Sequence, residues 1–223
     1  MGGLVSVVIP VWNGAKRIDQ TLHSVFEQDY RPIEVIVVDD GSTDDTVEVV
    51  SRWPQVKLVR QDHRGVGFTR NTGIAHATGD YIALQDADDL WEKDKLTVQV
   101  AYLEAHPEIG YVAAYLRNFL EDGYARPAWL HPAHLEEARP GGIGNLVARA
   151  EVFRAVGGFA PEDITDLAWS LRAQAAGVKS ALIDRVLLHR RVHPDNISHQ
   201  HDFTKVRLGA LRAAIADRRG GKA

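Results

Sequence analysis

The feature that most constrains the fold is a series of short apolar runs, each followed by a segment with helical periodicity. Leu4 to Pro10 and Glu34 to Val38 are such runs, and both are rich in β-branched residues. Runs of this kind are typical of parallel strands buried on both faces. Between them, apolar residues recur at helical spacing over residues 15–28. This order predicts right-handed βαβ units.

The alternation continues through the first ninety or so residues. Helices are predicted over residues 44–53 and 68–77, and strands over 56–59 and 81–85. Ligands of such sheets bind beyond the carboxyl ends of the strands. The residues at those ends are polar: Trp12-Asn13, Asp39-Asp40, Asp62-His63-Arg64 and Asp86 to Asp88. Their convergence predicts a binding site at this edge of the sheet.

A dense group of carboxylates follows the last of these strands. Asp86, Asp88 and Asp89 lie within four residues, and like charges this close repel each other unless a cation is present. Asp86 and Asp88 share a face in an extended chain. Two such carboxylates suit Mg²⁺ or Mn²⁺ holding a phosphate substrate. The alternative is an Asx turn in which Asp88 or Asp89 caps the next helix.

The second half of the chain has a different order of elements. A helix over residues 93–106 precedes a long strand over 109–120, and the Pro-, Gly- and His-rich segment that ends at Gly144 is predicted to be a mobile binding loop. The remaining predicted elements are a strand at 145–148, helices at 151–156 and 165–176, a strand at 178–188 and an amphipathic helix at 203–218. The predicted fold class is therefore α/β, with a mostly parallel central sheet and helices on both faces.

Composition excludes several classes of protein. A length of 223 residues suits one large domain, and a net charge of −4 argues against a nucleic-acid partner. The absence of cysteine excludes disulfides and thiolate metal sites. No apolar run is long enough to span a bilayer, and no basic region precedes the first apolar run as it would in a secretion signal. We therefore expect a cytoplasmic protein. For the basic 205–222 tail a solvated helix face is favoured over weak peripheral contact with anionic lipid at the inner face of the membrane.

Six sequence blocks resemble the inverting family 2 glycosyltransferases of the GT-A fold. They are Val5 to Asn13, Glu34 to Asp44, Gly65 to Ala77, Asp86 to Asp89, Gly157 to Phe159 with Asp166, and Arg191 to Ser198. They stand in the family's order and together cover most of residues 4–200. The resemblance implies a single GT-A-like (Rossmann-like) domain. Residues 1–92 would form a nucleotide-sugar half, 93–200 an acceptor and catalytic half, and 201–223 a C-terminal helix and tail.

The resemblance also implies roles for individual residues. The implied substrate contacts are Pro10, Val11, Trp12, Asn13 and Asp40 at the base, Asp86 at the ribose, Arg70 near the donor and Arg191 on the phosphates. The implied metal ligand is Asp88, with His193 as a further metal or diphosphate contact, and the metal is Mn²⁺ or Mg²⁺. Asp166 would be the general base.

Several of these residues have plainer interpretations. Asp39-Asp40-Gly41 is also a good turn, and His193 could be structural. Asp166 could cap its helix. Thr165 stands where the family usually has Glu, and the spacing after Phe159 is short. Nearby Glu162 and Asp163 are therefore rivals for the role of base, and Asp163 is the next candidate.

The function implied is transfer of one sugar, with inversion, from a nucleoside-diphosphate sugar to a hydroxyl of a saccharide, a lipid-linked or a small-molecule acceptor. A metal would stabilise the leaving charge and one carboxylate would deprotonate the acceptor. UDP is the first expectation, and the context would be a bacterial-type glycan, glycolipid or glycosylated metabolite. One alternative is a sugar nucleotidyltransferase, although the Trp12-Asn13-Gly14 turn lacks the Arg and Lys usual there. The other is a catalytically inactive nucleotide- or glycan-binding module of the same fold.

Overall fold

The protein is built on one curled sheet with helices on both faces. The structure is a computed structural model that describes residues 2–160 and 166–196, with the backbone alone for Asp166. Its strands are β1 (Val5–Val11), β2 (Ile33–Asp39), β3 (Val56–Arg60), β4 (Tyr81–Leu84), β5 (Leu90–Trp91), β6 (Ile109–Leu120), β7 (Arg139–Pro140), β8 (Val147–Arg149) and β9 (Lys179–Val192). Its helices are α1 (Ile18–Phe26), α2 (Thr46–Ser51), α3 (Val66–His76), α4 (Lys95–Ala105), α5 (Ala133–Glu136), α6 (Ala150–Val156) and α7 (Asp166–Ala175).

The strand order in the described part of the chain is β3-β2-β1-β4-β8-β6-β9-β5, with β7 paired to β6. β3, β2, β1 and β4 are parallel neighbours. β8 runs antiparallel to both β4 and β6, whereas β9 pairs in parallel with β6 along nearly its whole length. The predicted α/β class with a mostly parallel sheet is confirmed, and strands from both halves of the chain belong to the same sheet.

The core lies on the two faces of this sheet. All seven residues of β1 are buried, and successive side chains point to opposite faces. Val7 and Ile9 pack with Leu22 of α1 and Val100 of α4, while Val8 faces the other side, where α6 and α7 pack. Each such apolar side chain contributes about 1.5–3 kcal/mol when fully buried. The continuous apolar run predicted a strand buried on both faces for this reason.

The structure differs from the sequence prediction mainly in the second half. β5 was not predicted, because a two-residue strand carries no periodicity of its own; it exists through its pairing with β9. The predicted binding loop that ends at Gly144 contains α5, β7 and the start of a 3₁₀ helix (Ile143–Asn145). Leu130 of that segment is buried. The predicted terminal helix at 203–218 lies outside the described residues.

No helix in the described ranges is long and apolar enough to cross a bilayer.

One charged side chain lies wholly inside the core. Lys95, in the first turn of α4, has no exposed surface. Its Nζ donates a hydrogen bond of 2.5 Å to Gln99 Oε1 and lies 4.2 Å from the centre of the Trp91 ring. Burial lowers the pKa of Lys95 well below its ordinary value of 10.5. The folded protein therefore binds the Lys95 proton less tightly than the unfolded chain does.

We predict that the free energy of unfolding of Lys95→Met, relative to that of the wild type, falls as the pH rises from about 7 to about 9.5. In this range the unfolded wild type binds more protons at Lys95 than the folded protein, so wild-type stability rises with pH, by at most about 1.4 kcal/mol per pH unit. The variant lacks this contribution. Urea denaturation at the two pH values measures the difference, with exposed Lys57→Met as control. A difference that does not change with pH contradicts the prediction.

Candidate active site

The site forms where β4 ends and the chain turns back through Asp86 to Asp89. Asp89 N–H donates to the Asp86 carbonyl at 3.3 Å, which closes the turn. The three carboxylates of this turn differ in exposure. The side chains of Asp86 and Asp88 are 39% and 31% exposed, whereas Asp89 is buried. The first two therefore face the open edge of the sheet.

Asp89 is a structural residue that holds β9 against the turn. Its Oδ1 accepts the backbone N–H of Arg191 at 2.9 Å. Burial, reinforced by the neighbouring charges of Asp88 and Asp86, raises the pKa of Asp89 well above its ordinary value of 3.8. A raised pKa disfavours the charged form of Asp89, and this lessens the repulsion expected from three adjacent carboxylates.

Arg70 of α3 forms an ion pair with Asp86. Its Nη2 donates to Asp86 Oδ1 at 2.9 Å, and its side chain is only 7% exposed. Within the described part of the chain, Arg70 Nε and Nη1 are buried without a hydrogen-bond partner. Buried donors are nearly always paired, because an unpaired one costs about 1–3 kcal/mol. Two unpaired donors on a guanidinium that pairs with a partly exposed carboxylate make Arg70 a candidate contact for an anionic ligand.

Asp86 is held on its other side by the 3₁₀ helix. A Cβ at Gly144 would lie 2.6 Å from Asp86 Oδ2, so the carboxylate packs directly against this glycine. The 3₁₀ helix lies next to β6 and β4, and the packing therefore links the predicted donor half to the second half of the chain.

Asp88 is bound by the segment that follows β9. Its Oδ2 lies 2.9 Å from His193 Nε2 and accepts the amide N–H of Asn196 at 3.1 Å. Arg191 Nε donates to the backbone carbonyl of Asp88 at 2.9 Å, and Arg191 Nη2 donates to Gln20 at 2.6 Å. The guanidinium of Arg191, which was predicted to contact phosphate, therefore donates to the carboxylate turn and to α1 in this structure. Among the described residues, Asp88 Oδ1 has no hydrogen-bond donor.

The pair formed by Asp88 and His193 fits a small divalent cation. Two ligands at right angles on a cation with bonds of about 2.1 Å lie roughly 3 Å apart, which matches the 2.9 Å between Asp88 Oδ2 and His193 Nε2. Among the residues described, no three His, Asp or Glu side chains form a complete metal cluster. Mg²⁺ sites commonly take one or two protein groups and fill the remaining positions with water and substrate phosphate. Asp88 and His193 are the residues that would hold Mn²⁺ or Mg²⁺ here.

Asp40, the predicted base contact, lies at the end of β2 and is engaged by residues 61–65. Its carboxylate accepts hydrogen bonds from Gln61 Nε2 and from the backbone N–H groups of Arg64 and Gly65, at 2.7–3.0 Å. Burial acts to raise the pKa of Asp40, but these hydrogen bonds outweigh it and lower the pKa below its ordinary value of 3.8. The carboxylate is therefore ionised and surrounded by donors.

The β1–β2 edge presents an aromatic surface beside Asp40. Trp12 is 53% exposed, and its ring stacks on His63 with centroids 4.5 Å apart. His63 Nδ1 in turn lies 2.9 Å from Asp40 Oδ2. Asn13 adopts a positive φ of 51° and accepts the backbone N–H of Thr43 at 2.8 Å. Pro10 and Val11 are buried at the end of β1, so this part of the site offers backbone atoms and the Trp12 ring.

The predicted general base lies at the edge of the described structure. α7 begins at Asp166, and Trp169 in its first turn is fully buried. The side chain of Asp166 and its rivals Glu162 and Asp163 lie outside the described residues, so the assignment of the base stays a prediction. Asn71 of α3 holds the segment that leads toward them, through hydrogen bonds of 2.7 and 2.8 Å to the backbone of Phe159.

Sequence reasoning missed two residues that complete the site. Asn196 binds Asp88 directly, and its place within the Arg191 to Ser198 block is the signal that could have revealed it. Arg17 forms ion pairs with Glu121 and Asp195. No local pattern identifies Arg17, because its partners lie 104 and 178 residues away in the sequence.

Comparison of the sequence finds glycosyltransferases. The model of the family described as Glycosyl transferase family 2 matches residues 6–162. The putative glycosyltransferase EpsE of Bacillus subtilis is 32% identical over 168 residues, which cover 71% of this chain and 60% of EpsE. The putative teichuronic acid biosynthesis glycosyltransferase TuaG of the same organism is 35% identical over 105 residues, which cover 45% of this chain and 42% of TuaG. The chain thus spans less than two thirds of the length of either relative.

Comparison of the fold gives a consistent result. TarS of S. aureus, solved in complex with UDP-GlcNAc, matches with a TM-score of 0.69 at 21% identity, over 88% of this chain and 61% of that chain. The mannosyltransferase PcManGT of Pyrobaculum calidifontis, solved with GDP-Man and Mn²⁺, matches with a TM-score of 0.70 at 25% identity, over 90% of this chain and 60% of that chain. These likenesses confirm the expected GT-A-like fold.

We predict that Arg70→Met weakens binding of Mn²⁺-pyrophosphate about tenfold or more while changing the free energy of unfolding by less than about 1 kcal/mol. Hydrogen bonds to charged groups contribute about 1.5–3 kcal/mol, which the anion loses. Stability is preserved because the variant also removes two unpaired buried donors. Isothermal titration calorimetry and urea denaturation measure the two quantities.

The control for this prediction is Arg52→Met, which removes an exposed arginine paired with Glu48 on α2. Unchanged pyrophosphate affinity in Arg70→Met would show that the two unpaired donors do not face the ligand.

Proposed function

Because this chain belongs to glycosyl transferase family 2, we propose that it transfers one sugar from a nucleoside-diphosphate sugar to a hydroxyl acceptor. The observation that carries the proposal is the grouping of Arg70, Asp86 and Asp88 at the carboxyl edge of the sheet. There, two unpaired guanidinium nitrogens lie beside two partly exposed carboxylates. A diphosphate with a divalent cation matches both kinds of group, since it presents anionic oxygens to the arginine and a cation to the carboxylates.

The proposed donor lies across the ends of β1, β2 and β4. The base would rest on the Trp12 ring and the backbone of Pro10, Val11 and Asn13, the ribose beside Asp86, and the diphosphate at Arg70. TarS was solved with UDP-GlcNAc and PcManGT with GDP-Man, so UDP and GDP are the two nucleotides to test first. UDP is our first choice.

Binding of the base would change the surroundings of Asp40. The donors that surround its carboxylate leave no free position for a base edge unless one of them moves. His63 is the candidate, because its side chain is 54% exposed whereas that of Asp40 is 3% exposed. We propose that the base takes the place of His63 on the Trp12 ring.

The proposed metal ligands are Asp88 and His193, and Mn²⁺ or Mg²⁺ bound there would stabilise the charge of the leaving nucleoside diphosphate. Arg70 supports the same charge through its two unpaired donors. Arg191 Nε donates to the Asp88 carbonyl, and the guanidinium carbon of Arg191 lies 4.9 Å from the centre of the Phe119 ring. Its proposed contribution to the phosphates is electrostatic.

The proposed reaction is a single displacement with inversion at the anomeric carbon. Asp166, at the start of α7, would accept the proton of the acceptor hydroxyl as that oxygen attacks from the side opposite the diphosphate. In this proposal no carboxylate acts as nucleophile and no covalent intermediate forms, unlike in retaining chemistry. The acceptor would be a saccharide, a lipid-linked sugar or a small molecule, in a cytoplasmic step of glycan or glycolipid synthesis. Its binding surface would include the 121–144 segment, where Trp129 is 48% exposed.

We predict that UDP or GDP raises the melting temperature only in the presence of Mn²⁺ or Mg²⁺, and that Asp88→Asn abolishes this shift. A ligand at about 100 times its dissociation constant stabilises the folded state by roughly 2.7 kcal/mol. A thermal-shift panel of UDP, GDP, dTDP and CDP, with and without metal, measures the effect. Exposed Asp45→Asn on the neighbouring turn serves as control. An unchanged melting temperature with all four nucleotides, with or without metal, would contradict the proposal that the donor is a nucleoside-diphosphate sugar.

We predict that Asp166→Asn lowers transfer at least about a hundredfold, since general base catalysis contributes typically 10²–10⁴-fold, while nucleotide affinity is unchanged. The matched variant is Asp163→Asn, which should keep transfer near the wild-type rate. Product formation is followed with the donor identified by thermal shift, and the anomeric configuration of the product is read by NMR. Loss of transfer in Asp163→Asn, with near wild-type transfer in Asp166→Asn, would assign the base to Asp163. Donor binding without transfer or hydrolysis in the wild type would instead indicate a binding module.

A further inference from the structure

We propose that Arg17 and Asp195 form a tether that positions His193 and Asn196 on the Asp88 carboxylate, and so sets the affinity of the divalent-cation site. The inference rests on the proposed function, because it concerns the cation that Asp88 would hold. Arg17 lies outside the six blocks that resemble the family, and Asp195 lies within the last of them but has no implied role there. They are positioning residues.

Arg17 joins three separate parts of the chain. It directly precedes α1 and is 7% exposed. Its Nε and Nη2 form a bidentate pair with Glu121, at 2.6 and 2.9 Å, just after β6. The same Nη2 donates to Asp195 Oδ2 at 3.0 Å. Bidentate geometry fixes the guanidinium plane, so Asp195 meets a donor that cannot shift.

Contacts within the turn at residues 193–196 connect Asp195 to His193, the candidate metal ligand. Asp195 N–H lies 3.2 Å from His193 Nδ1, and Asn196 Oδ1 accepts the His193 N–H at 2.8 Å. These contacts orient the imidazole ring so that Nε2 faces Asp88 Oδ2. When Nε2 binds a cation, Nδ1 carries the ring proton, and the nearby acceptor is Asp195 Oδ2, which lies 3.9 Å from Nδ1 and is held by Arg17. Removing an acceptor of this kind typically changes metal affinity 10–100-fold.

Stability alone does not account for the Asp195 contact. The Asp195 side chain is 59% exposed, and an ion pair with so exposed a partner contributes only about 0–1 kcal/mol. Glu121, at 26% exposure, already pairs with the guanidinium through both oxygens. What the second contact adds is a fixed place for Asp195, and with it the orientation of the His193 ring.

Three variants separate positioning from charge. Asp195→Ala removes the contact to Arg17 but leaves the Arg17–Glu121 pair intact, so the fold is preserved. Asp195→Asn keeps an oxygen that accepts from Arg17 but loses the charge. Glu48→Ala removes an exposed acid that is paired with Arg52 on α2, and it controls for a general change in net charge.

The measurement is the dissociation constant of Mn²⁺ in the presence of pyrophosphate, from the EPR signal of free Mn²⁺, with urea denaturation of each variant alongside. We expect affinity about tenfold weaker in Asp195→Ala, near wild type in Asp195→Asn and unchanged in Glu48→Ala, with all three as stable as the wild type to within about 1 kcal/mol.

Wild-type affinity in Asp195→Ala overturns the tether and leaves the proposed cation site standing. Equal loss in Asp195→Ala and Asp195→Asn also overturns it, because the effect would then be one of charge. A wild type that binds no Mn²⁺ overturns both the tether and the proposed metal dependence.

Discussion

Electrostatic repulsion within the Asp86–Asp89 turn is the constraint on which the rest of the site depends. Three carboxylates in four residues cannot all remain ionised without compensation, and the fold compensates each one differently. Asp89 is buried with a raised pKa and accepts the backbone N–H of Arg191, Asp86 pairs with Arg70, and Asp88 contacts the side chains of His193 and Asn196. The result is two partly exposed carboxylates held in place by a third that is hidden.

The groups that compensate this repulsion come partly from the second half of the chain, which must therefore pack against the Asp86–Asp89 turn. β9 pairs with β6 along most of its length and ends beside the carboxylate turn. Arg191, His193 and Asn196, at and just beyond its end, all contact Asp88 or Asp89. Since β6 connects through β8 to β4, one continuous sheet sets the position of both sides of the site. A shift of either half relative to the other would separate the turn from the groups that neutralise it.

The fold also accepts local costs at this edge. Arg70 has two buried donors without a partner among residues 2–160 and 166–196, and an unpaired buried donor costs about 1–3 kcal/mol. Asp40 is surrounded by donors from residues 61–65, so its charge is stabilised before any ligand binds. The two residues differ in hydrogen bonding: Arg70 has donors without partners, whereas the Asp40 carboxylate already accepts several hydrogen bonds. In the proposed donor complex, the diphosphate would meet the unpaired donors of Arg70, and the base would have to displace His63 from Asp40.

Local patterns in the chain were sufficient to predict β1, β2, β4, α3 and the carboxylate turn, because β-branched runs and helical spacing act over neighbouring residues. The same patterns gave no indication of β5, whose two residues form a strand only because β9 lies beside them. Asp88 and Asp89 are adjacent and chemically identical. The spacing from Asp86 and the family resemblance favoured Asp88 as the ligand, but neither predicted that Asp89 is a buried structural acid. Burial separates them, and burial is decided by where β9 ends. The ion pairs of Arg17 likewise join residues far apart along the chain, and such contacts come into existence only when the sheet is assembled.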